Sequence, residues 1–220
     1  MAARHAHTQV HPLAAAAQAV LAAVAARRNV LDPVEVIAGR SHREQANNSV
    51  VGTAAAIGLC GSTAVALTGA GADLGVLDRR SITTRDCQPY HDAQGLPVAD
   101  AEKLIAAAYD RAVANATDGL RDLMASLDAR VRVAGISFKE YRLAPSLEVR
   151  LRSHPMCHGA EGEMTRDALW AACEALGLEV HAAPPDAIDA RVEQAGKLIG
   201  APWRKEHKLA ATAALSALGL

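Results

Sequence analysis

Residues 154–163 read His-Pro-Met-Cys-His-Gly-Ala-Glu-Gly-Glu, the densest set of metal-ligating side chains in the chain. His154, His158 and Glu161 offer imidazole and carboxylate donors, a combination suited to manganese or iron, and with the Cys157 thiol the set also suits zinc. His154 and His158 stand four apart, the spacing of one helix face, but Pro155 and Gly159 predict a loop that opens a helix at Glu161. Glu161 and Glu163 are also candidate catalytic acids. The structural alternative is a helix start at which two acids complement the positive end of the macrodipole.

Two further clusters carry chemistry. Pro202-Trp203-Arg204-Lys205-Glu206-His207-Lys208 gathers basic side chains at the start of a helix, so Arg204, Lys205 and Lys208 are candidate phosphate-binding residues and Glu206 a metal ligand or base. Its structural alternative is a solvated first turn with Trp203 in the core. In Gln88-Pro89-Tyr90-His91-Asp92, Tyr90 and His91 are candidate ligand contacts in a loop, or Tyr90 anchors that loop on a neighbouring helix. Arg40, His42, Arg43, Asn47 and Asn48 form a polar run that reads as an anion-binding face or a solvated linker. No Walker, HExxH, GxSxG or Rossmann glycine pattern occurs.

These groups need a scaffold, and the composition limits its kind. The 220 residues include 50 alanines but one phenylalanine, three tyrosines and two tryptophans, and arginine outnumbers lysine 18 to 5. A net charge of −1 excludes a global basic field of the sort that drives non-specific nucleic-acid binding. Cys60, Cys87, Cys157 and Cys173 are scattered without CxxC spacing, which predicts free thiols in a reducing cytoplasm. Residues 13–28 are alanine-rich and interrupted by Gln18, too weakly hydrophobic to span a membrane. They predict a helix that mediates a protein-partner or homo-oligomer contact.

Periodicity places the elements. Thr63–Thr68 reads as a buried strand, with turn chemistry at 69–73 and strands at Leu74–Leu77 and Ser81–Thr84. Residues 87–97 read as a loop, and Val98–Leu127 as a long helix whose apolar residues recur at helical spacing. Strands at 130–138 and 178–182 alternate with helices at 161–176 and 205–218. The run 50–60 fits either a helix or an inserted connection. The expectation is an α/β fold, a mixed sheet flanked by helices, with residues 61–220 as the domain and 1–60 as an N-terminal extension.

That order resembles the ribonuclease H-like fold, particularly Holliday-junction resolvases of the RuvC type. The resemblance rests on Ala64-Val65-Ala66-Leu67-Thr68-Gly69-Ala70-Gly71 with Leu74-Gly75-Val76-Leu77, on 166–187, and on 202–211. It implies two-metal phosphodiester cleavage, with Mg²⁺ or Mn²⁺ held by converging carboxylates. On this reading Thr68 replaces the aspartate of the family's first strand, and Glu206 stands where a last-helix acid belongs. The resemblance therefore implies a non-catalytic ribonuclease H-like domain that binds a protein or nucleic-acid partner. The alternative is a divalent-metal-dependent nuclease or phosphoryl hydrolase using Glu161, Glu163 and Glu206.

Overall fold

The computed structural model describes residues 55–70 and 73–220. The expectations for helix 13–28 and for the polar run 40–48 lie outside the described residues. The described chain forms one five-stranded sheet with helices on both faces, in the order β1 (Ala55–Cys60), β2 (Thr63–Ala70), β3 (Asp73–Ser81), α1 (Pro89–Asp92), α2 (Val98–Ala125), β4 (Val131–Ser137), α3 (Leu147–Leu151), α4 (His154–Ala175), β5 (Glu179–Ala183), α5 (Ala190–Ile199) and α6 (Lys205–Ala217). Across the sheet the strands run β3-β2-β1-β4-β5. The first three form an antiparallel meander, and β4 and β5 pair in parallel with β1 as the pivot. The α/β class and the mixed, helix-flanked sheet are as expected.

The central strand corrects the sequence reading. Ala55–Cys60 precedes residue 61, where the domain was expected to begin, and it is a strand rather than a helix or an inserted connection. Thr63–Thr68, expected as the first strand, belongs to β2. Thr68 pairs with Ala55 at the far end of the hairpin, so it is not the residue at the tip of the strand that leads the sheet. That place is held by Cys60, which pairs with Ser137 at the end of β4.

Small residues explain why β1 is hard to recognise. Ile57 and Leu59 face α2 and α4, packing with Leu120, Leu123, Ile136 and Leu169 in the larger core. Ala56 faces the other way, with Val65, Leu67, Ala210, Ala214 and Leu215. Gly58 and Gly135 lie side by side under α6, where a Cβ would stand 1.6 Å from the Ala210 carbonyl oxygen and 1.9 Å from that of Ala213. Such contact requires glycine below and alanine above. The alanine excess is thus partly a packing device: α6 seats its backbone almost directly on the sheet.

Other boundaries moved for physical reasons. In place of the two strands expected at 74–77 and 81–84 there is one, β3, which ends at Ser81 and leaves 82–84 outside the sheet; its pairing with β2 shifts register between Ala66 and Leu67. The expected loop 87–97 holds the short turn α1. Helix α2 runs through Gly119 unbroken and buries Ala101, Ala108, Ala112, Ala116, Leu120 and Leu123. Helix α4 begins at His154, seven residues before its expected start. Pro155 falls in its first turn, where no backbone N–H is needed, and Gly159 leaves room for the Tyr141 and Leu143 side chains.

Cys173 is fully buried in the core, and burial pushes its thiol up to about 12. Burial also raises Cys157. Only the thiolate reacts, so alkylation at about pH 8 should spare Cys157 and Cys173 in the folded chain and reach them in urea. Peptide mass mapping after labelling reads this directly, and modification of Cys173 without denaturant would contradict the packing described.

Candidate functional site

Two polar constructions meet at one end of the sheet. The first is a cleft of about 420 Å³ beyond the ends of β1 and β4. Cys60 and Ser137 form its floor, and Arg85, Lys139, Arg166 and Asp186 stand on its walls. Three cations thus face one carboxylate. Asp186 is engaged by Lys205 Nζ at 3.5 Å. Arg166 pairs with Asp167 at 2.7 Å and lies over the Phe138 ring, its guanidinium carbon 4.8 Å from the centroid. Lys139 Nζ stands 5.9 Å from the Tyr141 ring centroid. The Cys60 thiol is raised, first by burial and next by Glu206, with Lys205 opposing. It is therefore a neutral, weakly polar group at the tip of the central strand.

The second construction is a cluster of three histidines behind Arg85. His91 comes from α1, while His154 and His158 occupy successive turns at the start of α4. The ring centroids lie 4.4–4.7 Å apart. His91 Nε2 is 3.1 Å from His154 Nδ1, and His154 Nε2 is 3.0 Å from His158 Nε2. Among the described residues this trio is the group of three or more His, Cys, Asp or Glu side chains whose donor atoms come close enough to share one ion.

Glu161 lies one layer behind it. Its side chain is 3% exposed, and its Oε1 is 2.9 Å from His91 Nδ1. Its Oε2 is 3.3 Å from Arg85 Nη1 and 4.0 Å from His158 Nδ1. A carboxylate accepts, so His91 Nδ1 carries the hydrogen of this contact, and in the neutral imidazole Nε2 is then the nitrogen with the lone pair. Arg85 Nη1 is buried without a well-aligned hydrogen bond, so the contact with Glu161 is an ion pair.

The expected site residues fall into separate places. His154, His158 and Glu161 do come together, joined by His91. Pro89 is buried against the fold, and α1 packs on α4. Cys157, although between the histidines in sequence, turns inward to the backbone oxygens of Arg150, Tyr90 and Leu151 at 3.5–3.9 Å. Tyr90 packs against the small core of Ala93, Ala101 and Leu151, the anchoring role. Glu163, two positions past Glu161 on a helix of 3.6 residues per turn, points about 200° away from it.

The basic residues of α6 are dispersed. Lys208 pairs with Glu193 of α5 at 2.7 Å, Lys205 turns to Asp186, and Arg204 is exposed and uses its backbone N–H on His207 Nδ1 at 3.1 Å. Glu206 is exposed beside Cys60. Among the described residues, no trio of carboxylates brings one oxygen each close enough to share a single ion.

No protein-family model and no curated protein matches the chain. Among solved structures, RuvC of Thermus thermophilus in complex with a Holliday junction substrate is similar, at 14% identity and a TM-score of 0.43, over 74% of this chain and 91% of that one. A second Thermus thermophilus RuvC structure gives 14% identity and a TM-score of 0.42, over 74% and 92%. No helix among the described residues is long and apolar enough to cross a membrane.

Proposed function

We propose that this is a non-catalytic ribonuclease H-like domain that binds the phosphate backbone of a nucleic acid in the cleft at the end of β1 and β4. One observation carries the reading: the strand tips that floor the cleft end in Cys60 and Ser137, while its walls carry Arg85, Lys139 and Arg166 against a single carboxylate, Asp186. Guanidinium and ammonium groups contact phosphate oxygens directly. Hard divalent ions require oxygen ligands, and a neutral thiol with one hydroxyl supplies a poor set for Mg²⁺. The same cleft is thus better suited to holding a phosphodiester than to breaking one. With the chain near neutrality overall, the interaction is local and salt-sensitive, with a modest number of phosphates neutralised.

The test uses the full chain with fluorescein-labelled duplex and four-way-junction DNA, read by anisotropy in EDTA and then by gel with Mn²⁺. Binding without metal, weakening as salt rises, is expected, with no strand cleavage. The double charge reversal Lys139→Glu/Arg166→Glu should weaken binding by at least about tenfold, since each lost phosphate contact removes part of the counterion-release term. Absence of binding at low salt overturns the proposal. Mn²⁺-dependent cleavage that disappears in Glu206→Ala would establish the nuclease instead.

A further inference from the structure

We infer that His91, His154 and His158 bind one late first-row divalent cation of the zinc type, with Glu161 as the carboxylate that orients His91. The site adjoins the proposed DNA cleft through Glu161 and Arg85, but its occupancy is tested separately from DNA binding.

The argument begins with what three clustered imidazoles require. Around a tetrahedral zinc, with Zn–N bonds of roughly 2.0–2.1 Å, neighbouring ligand nitrogens stand about 3.3 Å apart. His154 turns Nδ1 toward His91 at 3.1 Å and Nε2 toward His158 at 3.0 Å, so a shared ion would take only one of its two nitrogens. One donor atom from each of the three rings lies within 4.8 Å of the others, and rotation of the exposed side chains brings that set to the tetrahedral edge. The elements suit the arrangement too. His154 and His158 are four residues apart on α4, so their rings share one face, and α1 presents His91 from across the gap.

What lies behind the trio is as informative as the trio. Metal-ligating histidines characteristically donate the second ring N–H to a carboxylate, which fixes the tautomer and raises ligand basicity. His91 does this to Glu161 at 2.9 Å, leaving Nε2 toward His154 at 3.1 Å, with the His158 ring centroid 4.4 Å from its own. Glu161 is in turn held by Arg85, so the orienting group is itself fixed by packing. A buried carboxylate with that connectivity has a clear use if His91 must hold its lone pair outward.

His154 and His158 are exposed and His91 is only 15% exposed. An ion would therefore sit at the surface with three protein nitrogens and an open position facing solvent. Imidazole donors select zinc, copper, nickel or iron over magnesium and calcium. The ion would also clip α1 to the first two turns of α4, so binding should stabilise the fold.

Without metal, the same rings can form a neutral chain in which each N–H donates to the next nitrogen. The experiment must separate the two states, and it must discount His5, His7 and His11 near the N-terminus, which offer imidazoles of their own. Full-length protein stripped with chelator is titrated with ZnCl₂ by calorimetry, with thermal unfolding followed in parallel. Three chains are compared: wild type, His154→Ala/His158→Ala, and His5→Ala/His7→Ala/His11→Ala. Both replaced residues of the double variant are exposed, so it should fold normally, which circular dichroism verifies.

The expected result is that wild type and the N-terminal triple variant share one tight equivalent of zinc and a zinc-dependent rise in Tm. The double variant should lose that equivalent, with affinity down at least about 100-fold, since even outer-layer partners are worth 10–100-fold. Co²⁺ in place of zinc should give the intense visible absorption of a tetrahedral site in the first two chains alone. An unchanged stoichiometry in the double variant overturns the inference, as does loss of the tight equivalent in the triple variant or no tight uptake by wild type. DNA binding in EDTA is unaffected by any of these outcomes, so this inference and the nucleic-acid reading fail separately.

Discussion

Gly58→Ala should destabilise the domain by at least about 3 kcal/mol, the upper part of the range for inserting a methyl into a packed core. The added Cβ would stand 1.6 Å from the Ala210 carbonyl oxygen, 2.6 Å from its carbon and 2.7 Å from the Ala214 nitrogen. These are helix backbone atoms, so no rotamer change relieves the clash. Either α6 lifts from β1 or the central strand shifts, and both open the layer formed by Val65, Leu67, Ala211 and Leu215. Gly119→Ala is the contrasting variant. Its Cβ meets the Ile82 side-chain methyl Cγ2 at 3.1 Å, which can yield, while alanine in a helix interior regains up to about 1 kcal/mol. Urea unfolding followed by circular dichroism should show a large fall in midpoint for Gly58→Ala and little change for Gly119→Ala, with similar slopes. A Gly58→Ala midpoint close to wild type would mean that α6 is not seated as described.

That close seating also determines what could be read from the sequence. The long helix α2 was legible to within two residues at its end, because Ala108, Ala112, Ala116 and Leu120 repeat at a clean helical period. Strand β4 was legible because its apolar residues crowd into one run. Strand β1 was not. Ala-Ala-Ile-Gly-Leu-Cys has one β-branched residue among six, and its intrinsic preferences say little. Its small residues are there for α6, a partner some 150 positions away, and only the packing reveals that. The two-residue Gly61-Ser62 link to an equally apolar run was the available signal for a hairpin. Missing it displaced the expected first strand onto β2 and moved attention to Thr68 when the strand tip is Cys60. Helix α5 had a usable mark in Asp189, whose Oδ1 accepts from the Arg191 backbone N–H at 2.8 Å, an N-cap without an apolar run long enough to stand out.

The histidine cluster was half legible for a similar reason. His154, His158 and Glu161 are joined by local helical spacing, so the sequence shows them as a group. His91 reaches them from 63 positions away, and no local pattern contains that contact. Pro155 and Gly159 also argued against a helix there, because their usual effects assume an interior position and an unpacked face. In the fold the proline is in the first turn and the glycine lies under Tyr141.

Glu161 is where the site and the stability of the domain become the same question. Glu161→Met should cost about 3 kcal/mol, since removing one member of a buried ion pair leaves the other uncompensated. Its carboxylate is 3% exposed between Arg85 Nη1 at 3.3 Å and His91 Nδ1 at 2.9 Å. Methionine fills the volume, so the loss reads electrostatics and hydrogen bonding more than cavity formation. Arg85 would then keep a buried Nη1 with no acid beside it. Removing both charges in Arg85→Met/Glu161→Met eliminates that orphan, and replacing a whole buried pair by apolar groups is often neutral. The double variant should therefore be more stable than Glu161→Met alone, with a coupling of 1 kcal/mol or more, about the size found for residues in one network. Strict additivity in urea unfolding would show that the pair does not operate as a unit. Glu161→Gln separates the two partners: its amide oxygen can still accept from His91 Nδ1, but it offers Arg85 no charge. A loss smaller than that of Glu161→Met is expected, and the difference between them measures what the His91 hydrogen bond contributes. The carboxylate thus has two structural tasks, one holding Arg85 on the cleft wall and one fixing the histidine tautomer. That double demand accounts for an acid in the first turns of a helix whose neighbouring buried positions are Cys157, Gly159, Ala160 and Met164.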